Sequence, residues 1–285
     1  MMNFIEGMIE YEFLQKALTT SIMVGIICGV IGCFIILRGM ALMGDAISHA
    51  VLPGVALSYM IGINFFFGAV FTGVLTALGI GFISQNSRIK NDVSIGIMFT
   101  AAFASGIILI TFMKSSTDLY HILFGNVLAV RPEEMVTTLI IGVIVLASIY
   151  FFYKELLVSS FDPTMAKAYG LPVRVIHYFL MILLTLVTVA SLQTVGIILV
   201  VAMLITPAST AYLLTDRLWV MLYLSAGIGV LSSILGLYFS YTYNLASGAT
   251  IVLAATMLFA LAFIFSPKQG LLWRKIKVFR KETSI

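Results

Sequence analysis

The composition of this 285-residue chain is strongly apolar, because 61% of its residues are hydrophobic and only 10% are charged. So few charges cannot solvate a globular surface, and the apolar residues are too many for one core, which excludes a soluble globular protein. The net charge of +4 comes with no nucleic-acid recognition module, which excludes a nucleic-acid partner. We therefore predict an all-α polytopic membrane protein with one transmembrane domain, residues 1–285.

Long apolar segments follow one another from residue 14 to residue 266, and we predict a helical bundle over this range. A membrane-spanning helix needs roughly 20 apolar residues. Nine segments approach that length: Ala17–Leu37, Met40–Ile63, Phe65–Ile83, Val93–Met113, Met135–Tyr153, Val175–Ala190, Val195–Leu214, Leu218–Tyr238 and Ala249–Phe265. The segment Val195–Leu214 is the weakest, since it contains Pro207 and Thr210, so eight spans are the alternative to nine.

The distribution of basic residues predicts the orientation of the chain, because lysine and arginine are retained in short cytoplasmic loops. With nine spans and the N-terminus outside, all but three of the 16 basic residues face the cytoplasm. The exceptions are Lys16, Lys114 and Arg131. The C-terminal segment 267–285 is then a basic cytoplasmic tail, and we expect its residues 273–281 to meet anionic lipid headgroups.

The second apolar segment contains Asp45 and His49, four residues apart. Positions i and i+4 share one helix face, so these side chains could bind one ligand or each other. Ionisable groups inside a membrane helix are costly and commonly functional, and a carboxylate with an imidazole suits manganese, iron or zinc. Two structural alternatives stay open: Asp45 could cap a helix, and His49 could hydrogen-bond a neighbouring carbonyl. The pattern lacks the H-E-x-x-H motif of zinc peptidases.

The outer segment 114–134 allows two interpretations. Residues 115–126 could pack on the bundle, either as an amphipathic helix on the outer surface that ends at Gly125 or as a re-entrant plug that seals the bundle. Alternatively, the segment contacts a ligand or partner through its ionisable side chains, Asp118, His121, Glu133 and Glu134.

The inner segment 159–172 has the signals of a short helix. Asp162 is a good N-cap, Pro163 suits the first helical position, and Gly170 ends the helix. An isolated helix of two turns is marginal in water, so it must pack on its own bundle or on a partner. Met165, Ala166 and Tyr169 form a small apolar face that suits a partner's groove. A simple surface connector is the alternative.

Three stretches, Gly44–Gly54, Phe161–Gly170 and Gly196–Thr210, resemble the manganese/zinc/iron permeases of bacterial ATP-binding-cassette (ABC) uptake systems. The similarity covers essentially the whole chain and is greatest to the manganese-importing branch. This resemblance implies a vitamin B12 permease-like fold in the bacterial cytoplasmic membrane. It also implies a homodimer that works with two separate ATPase subunits and a metal-binding capture protein outside.

The resemblance also assigns roles to residues of this chain. It makes Asp45 and His49 the ligands of the transported ion, with Mn²⁺ favoured and Zn²⁺ or Fe²⁺ as alternatives, and it implies no permanently bound cofactor. It places a coupling helix for the ATPase at Phe161, Asp162, Met165, Ala166 and Gly170. The acidic and histidine side chains of the outer segment, Asp118, His121, Glu133 and Glu134, are the expected contacts of the capture protein.

The chain contains no G-x-x-x-x-G-K-[ST] phosphate-binding loop, so ATP hydrolysis requires another polypeptide and this subunit is not expected to be an enzyme. The competing hypothesis is a stand-alone metal transporter coupled to protons through Asp45 and His49, which would work when reconstituted alone. An intramembrane hydrolase would need a nucleophile or base beside the metal, and the embedded polar residues offer no such group.

Overall fold

A computed structural model describes residues 2–113, 127–266, 268 and 270, and within these ranges the chain forms helices and no strands. Thirteen α-helices are present in the described ranges. They are α1 Met2–Glu10, α2 Glu12–Leu37, α3 Met43–Ala50, α4 Leu52–Ile61, α5 Phe65–Asn86, α6 Asn91–Met113, α7 Pro132–Phe151, α8 Tyr153–Phe161, α9 Pro163–Ala168, α10 Val173–Val195, α11 Ile197–Leu214, α12 Leu218–Tyr243 and α13 Ser247–Phe265. A 3₁₀ turn at Val127–Ala129 precedes α7. The predicted all-α class is confirmed.

Eight of the described helices are long and apolar enough to cross a membrane, namely α2, α5, α6, α7, α10, α11, α12 and α13. The predicted span Met40–Ile63 is absent from this set because it is broken into α3 and α4. The break follows from Pro53, which has no backbone N–H to donate to the preceding turn. Val51 joins the two helices with helical torsion angles, so the chain continues in nearly helical form across the break.

Two cavities identify the two ends of the bundle and show how α3 and α4 cross it. Leu37 and Ser84 line a cavity beside α9, which we call the α9 end. Phe65 and Gln193 line another cavity at the opposite end. Because α2 ends at the first cavity and α5 begins at the second, the segment Met40–Ile63 passes from one end to the other. In the described ranges, α3 and α4 together therefore cross the bundle once. Added to the eight long helices, this crossing agrees with nine spans.

Helix α2 is the most buried of the eight long helices and packs closely against α12. Small residues make this approach possible, since a Cβ added at Gly25 would lie 2.9 Å from the carbonyl carbon of Gly229. The Ser225 hydroxyl of α12 donates to the Gly29 carbonyl of α2 over 2.8 Å, and Ser233 donates to Ser21 over 2.9 Å. These contacts make α2 and α12 a close pair; α11 packs on both helices and α13 packs on α12.

Several boundaries differ from the sequence-based expectations. Helix α2 begins at Glu12 rather than Ala17, since the bundle extends past the apolar stretch, and α1 was not predicted. The short inner helix is present as α9, with Asp162 as its cap. The predicted outer helix over residues 115–126 lies outside the described residues, as does nearly all of the basic tail.

Candidate metal site

The Asp45 and His49 side chains lie on one face of α3, as their spacing predicts. Asp45 Oδ1 is 3.6 Å from His49 Nε2, which is longer than a hydrogen bond. About half of the Asp45 side chain (48%) and a third of the His49 side chain (30%) are exposed. A shared ion could therefore reach a carboxylate oxygen and an imidazole nitrogen together.

The two structural alternatives for this pair find no support in the described residues. Leu42 occupies the N-cap position of α3, and no side chain hydrogen-bonds the first turn there, so Asp45 does not cap the helix. His49 Nδ1 is buried without a hydrogen-bond partner from this part of the chain, so the imidazole is not held by a neighbouring carbonyl. Ser48, between them, donates to Gly44 of its own helix over 2.8 Å.

A cleft of about 480 Å³ opens beside the pair. Three helices form it: α3 with the two ionisable side chains, α6 with Phe103, and α11. The lining from α11 is almost wholly apolar, namely Ile197, Ile198, Val201, Ala202, Ile205 and Thr206. A cation in this cleft would leave water, so the Asp45 carboxylate must offset part of its desolvation cost.

Two phenylalanines of α6 hold the imidazole of His49. The Phe103 ring centroid is 5.6 Å from the His49 centroid at an interplanar angle of 84°, and that of Phe99 is 5.7 Å away. Phe99 and Phe103 also contact each other, one turn apart, with centroids 5.9 Å apart. Sequence reasoning missed both rings, although their i, i+4 spacing in an apolar segment was visible.

The described part of the chain offers this site two metal-binding side chains only. No group of three or more His, Cys, Asp or Glu side chains able to hold a metal occurs among those residues. Carboxylate and imidazole fit a divalent first-row cation, but one carboxylate compensates half of its charge. The described residues of a single chain thus form a chemically suitable site with two ligand side chains.

The inner helix α9 is built as predicted, with one correction. Asp162 Oδ1 accepts hydrogen bonds from the backbone N–H groups of Thr164 and Met165, each at 2.9 Å, and Gly170 ends the turn with φ of +78°. Phe161 and Met165 are exposed. Ala166, which was expected to contact a partner, is fully buried within its own chain, because its small side chain packs on the bundle.

Glu133 and Glu134 lie in the first turn of α7, at the end opposite α9. They line a cavity of about 480 Å³ together with Arg131, Asn64 and Gln193. Glu134 Oε2 accepts a hydrogen bond from the Arg131 backbone N–H over 3.1 Å. The other two residues of the predicted outer contact, Asp118 and His121, lie outside the described residues.

Comparison with known proteins identifies the family. The profile of the ABC 3 transport family matches residues 10–266. The chain is 68% identical over 276 residues to the manganese transport system membrane protein MntC of Listeria innocua, covering 97% of this chain and 99% of that protein. It is 54% identical to the manganese import system permease protein ScaB of Streptococcus gordonii, covering 96% and 99%.

A solved structure agrees with the fold. PsaBC from Streptococcus pneumoniae, in complex with Fab, contains a chain that is 54% identical and superposes with a TM-score of 0.86. The match covers 96% of this chain and 99% of that one. The matches extend over nearly all of this chain, and the resemblance inferred from three motifs is confirmed. This multi-pass membrane protein belongs to the ABC 3 transport family.

Proposed function

We propose that this chain is the permease subunit of an ABC importer that moves a divalent transition-metal cation into the cytoplasm, with manganese as the favoured cargo. The observation that carries the proposal is the Asp45–His49 pair, 3.6 Å apart, facing a cleft within a bundle of membrane helices. The names of the relatives support manganese, since those from Listeria and Streptococcus are called manganese transport or import proteins.

The cargo chemistry agrees with this assignment. Mn²⁺ binds more weakly than Fe²⁺ or Zn²⁺ to a given set of nitrogen and oxygen ligands, so a manganese site must select by geometry or by what is delivered to it. Zn²⁺ and Fe²⁺ are therefore the ions that compete with Mn²⁺ for this site. The ion is substrate and not a resident cofactor, which suits a site with few ligands and an open side.

We further propose a homodimer, because the described residues of one chain offer the ion only two ligand side chains. Two copies related by a two-fold axis beside the cleft would bring two Asp45 carboxylates and two His49 imidazoles to one ion. Two carboxylates neutralise a divalent charge, which a low-dielectric path requires. Ile198 of α11 is exposed beside the pair and offers an apolar surface for the second copy.

A cysteine cross-link tests the dimer, because both native cysteines, Cys28 and Cys33, are buried. Ile198→Cys should form a disulfide-linked dimer in oxidised membranes, whereas Phe71→Cys, at a position of α5 that is at least as exposed but outside the cleft, should not. Purified protein should bind one Mn²⁺ per two chains. One tightly bound ion per chain, with no Ile198 cross-link, would contradict the shared site.

The two ends of the bundle suit two different partners. At the α9 end, Asp162 and Gly170 define a short helix that presents Phe161 and Met165, and we propose that two separate ATPase subunits receive this helix from the two copies. At the opposite end, Glu133 and Glu134 line the outer cavity, and together with Asp118 and His121 they are the proposed contacts of a metal-binding capture protein.

This arrangement requires the α9 end to be cytoplasmic, with the N-terminus outside and the C-terminus inside. Single cysteines in a background without Cys28 and Cys33 test it. Arg88→Cys, between α5 and α6, should react with an impermeant maleimide only after permeabilisation, and Asn64→Cys should react in intact cells. The reverse pattern would invert the topology.

Radioactive manganese uptake tests the function itself, in cells that express the chain with its ATPase and capture protein. Asp45→Asn keeps the size of the side chain and removes the charge, and His49→Ala removes the nitrogen ligand, so either change should nearly abolish uptake. Asp92→Asn is the matched control, since Asp92 is an exposed acid at the start of α6 and outside the cleft. Near-normal uptake by a well-expressed Asp45→Asn, His49→Ala double variant would remove the pair from the pathway.

A further inference from the structure

A second polar cluster, separate from the metal cleft, surrounds Arg38 at the α9 end of the bundle. Arg38 follows the last residue of α2. Its Nη2 donates to Ser159 Oγ over 2.6 Å and its Nε to Ser160 Oγ over 3.1 Å, while Nη1 lies 3.3 Å from His177 Nδ1. The guanidinium is thus held in a fixed orientation by hydroxyls of α8 and an imidazole of α10.

All of these partners are neutral acceptors. The ion pairs among the described residues are Glu12–Lys16 and Asp216–Lys268, and neither these nor the Asp45–His49 contact includes Arg38. Burial lowers the pKa of Arg38 to about 10, which leaves the guanidinium charged at neutral pH. A partly buried cation without a counter-ion is costly, so its environment favours an anion.

The cluster lines a cavity of about 460 Å³. Arg38, Lys167 and Arg174 contribute three positive charges to its wall. The other polar groups of the lining are hydroxyls, amides and one imidazole, namely Ser84, Gln85, Asn91, Ser159, Ser160 and His177. No acidic side chain belongs to the lining, as far as the described residues show. Charged donors and hydroxyls around one space are the groups that bind phosphate oxygens.

The cavity lies where a lipid headgroup would be. Leu37 is at the end of α2, Gln85 near the end of α5, and Val173 at the start of α10, so the cavity sits at the level where these membrane helices end. Basic pockets between transmembrane helices at this level bind the headgroups of anionic lipids. We propose that this cavity binds one phosphate group, that of an anionic phospholipid headgroup or a free phosphate.

A carboxylate of an ATPase subunit is the alternative anion for this cavity. The exposed apolar side chains around α9, Phe161, Met165 and Tyr169, form the surface that suits a partner protein, and they do not line the cavity. Pro163 and Lys167 line it instead. Lys167 belongs to α9, whereas Arg38 and Arg174 lie at the end of α2 and the start of α10, apart from that apolar surface, which favours lipid over the partner.

Lipid titration of the purified full-length chain tests the inference. Phosphatidylglycerol should raise the melting temperature in detergent and remain bound in native mass spectra, whereas phosphatidylcholine, with no net charge, should do neither. Arg38→Gln removes the charge but keeps an amide donor, and it should weaken phosphatidylglycerol binding about tenfold, the usual effect of losing a charge-assisted hydrogen bond. Arg174→Gln, at an exposed position of the lining, should act in the same direction if Arg38→Gln misfolds.

Controls separate the cavity from general surface charge. Arg217→Gln makes the same change at an exposed position outside the cavity and should leave lipid affinity unchanged. If free phosphate is the ligand, inorganic phosphate titrated alone should raise the melting temperature of the unaltered chain but not that of Arg38→Gln. If the lipid is the ligand, inorganic phosphate should leave the melting temperature unchanged. Unchanged phosphatidylglycerol and phosphate affinity in both Arg38→Gln and Arg174→Gln would overturn the proposal. Loss of ATPase co-purification in these variants, with lipid and phosphate binding intact, would reassign the cavity to a partner carboxylate.

Discussion

The cap of helix α9 allows a quantitative prediction, because one carboxylate oxygen of Asp162 accepts two backbone hydrogen bonds at 2.9 Å. In Asp162→Ala, the N–H groups of Thr164 and Met165 lose this acceptor, which costs about 1 kcal/mol. The lost negative charge at the helix N-terminus adds roughly 0.5 kcal/mol. The sum of about 1.5 kcal/mol should increase the population in which α9 is open about tenfold.

Hydrogen exchange of peptides covering residues 161–170 measures this opening directly. Asp162→Asn is the matched variant, since asparagine caps as well as aspartate but carries no charge, and its exchange should rise only about two- to fivefold. If α9 couples to an ATPase, stimulation of ATP hydrolysis should fall in the same order, with the alanine variant lowest. Exchange in Asp162→Ala equal to that of the unaltered chain would refute the capping argument.

Three further predictions concern backbone and packing. Gly170→Val should lower ATPase stimulation, because a residue with a Cβ is strained by about 1–2 kcal/mol at the φ of +78° found here. Asparagine tolerates this angle, so Gly170→Asn should keep most of the stimulation. Gly54→Ala should lower the melting temperature by several degrees, since its Cβ would overlap the backbone of α5, whereas Gly227→Ala, with open space around it, should not. Phe103→Ala should raise the KM for manganese uptake with little effect on expression, since the ring holds the His49 imidazole; an unchanged KM would contradict that role.

Local patterns alone predicted much of this protein. Apolar segments of membrane-spanning length predicted the helices, because lipid leaves the backbone no partner other than itself. The i, i+4 spacing predicted that Asp45 and His49 share a face, and Asp162 with Gly170 predicted the ends of α9. Each of these properties depends on residues within a few positions of one another, so the local sequence is enough to predict it.

Other features depend on residues far apart in the chain, and the tertiary structure alone decided them. The cleft beside Asp45 takes its walls from α6 and α11, and Phe103 could not be placed there from spacing within its own helix. Ala166 has the character of a contact residue in sequence, yet packing on the bundle buries it. Arg38 meets Ser159 and His177 across more than 120 positions. Such contacts follow from how helices pack, and helix packing depends on the shapes of many surfaces at once, which no local pattern contains.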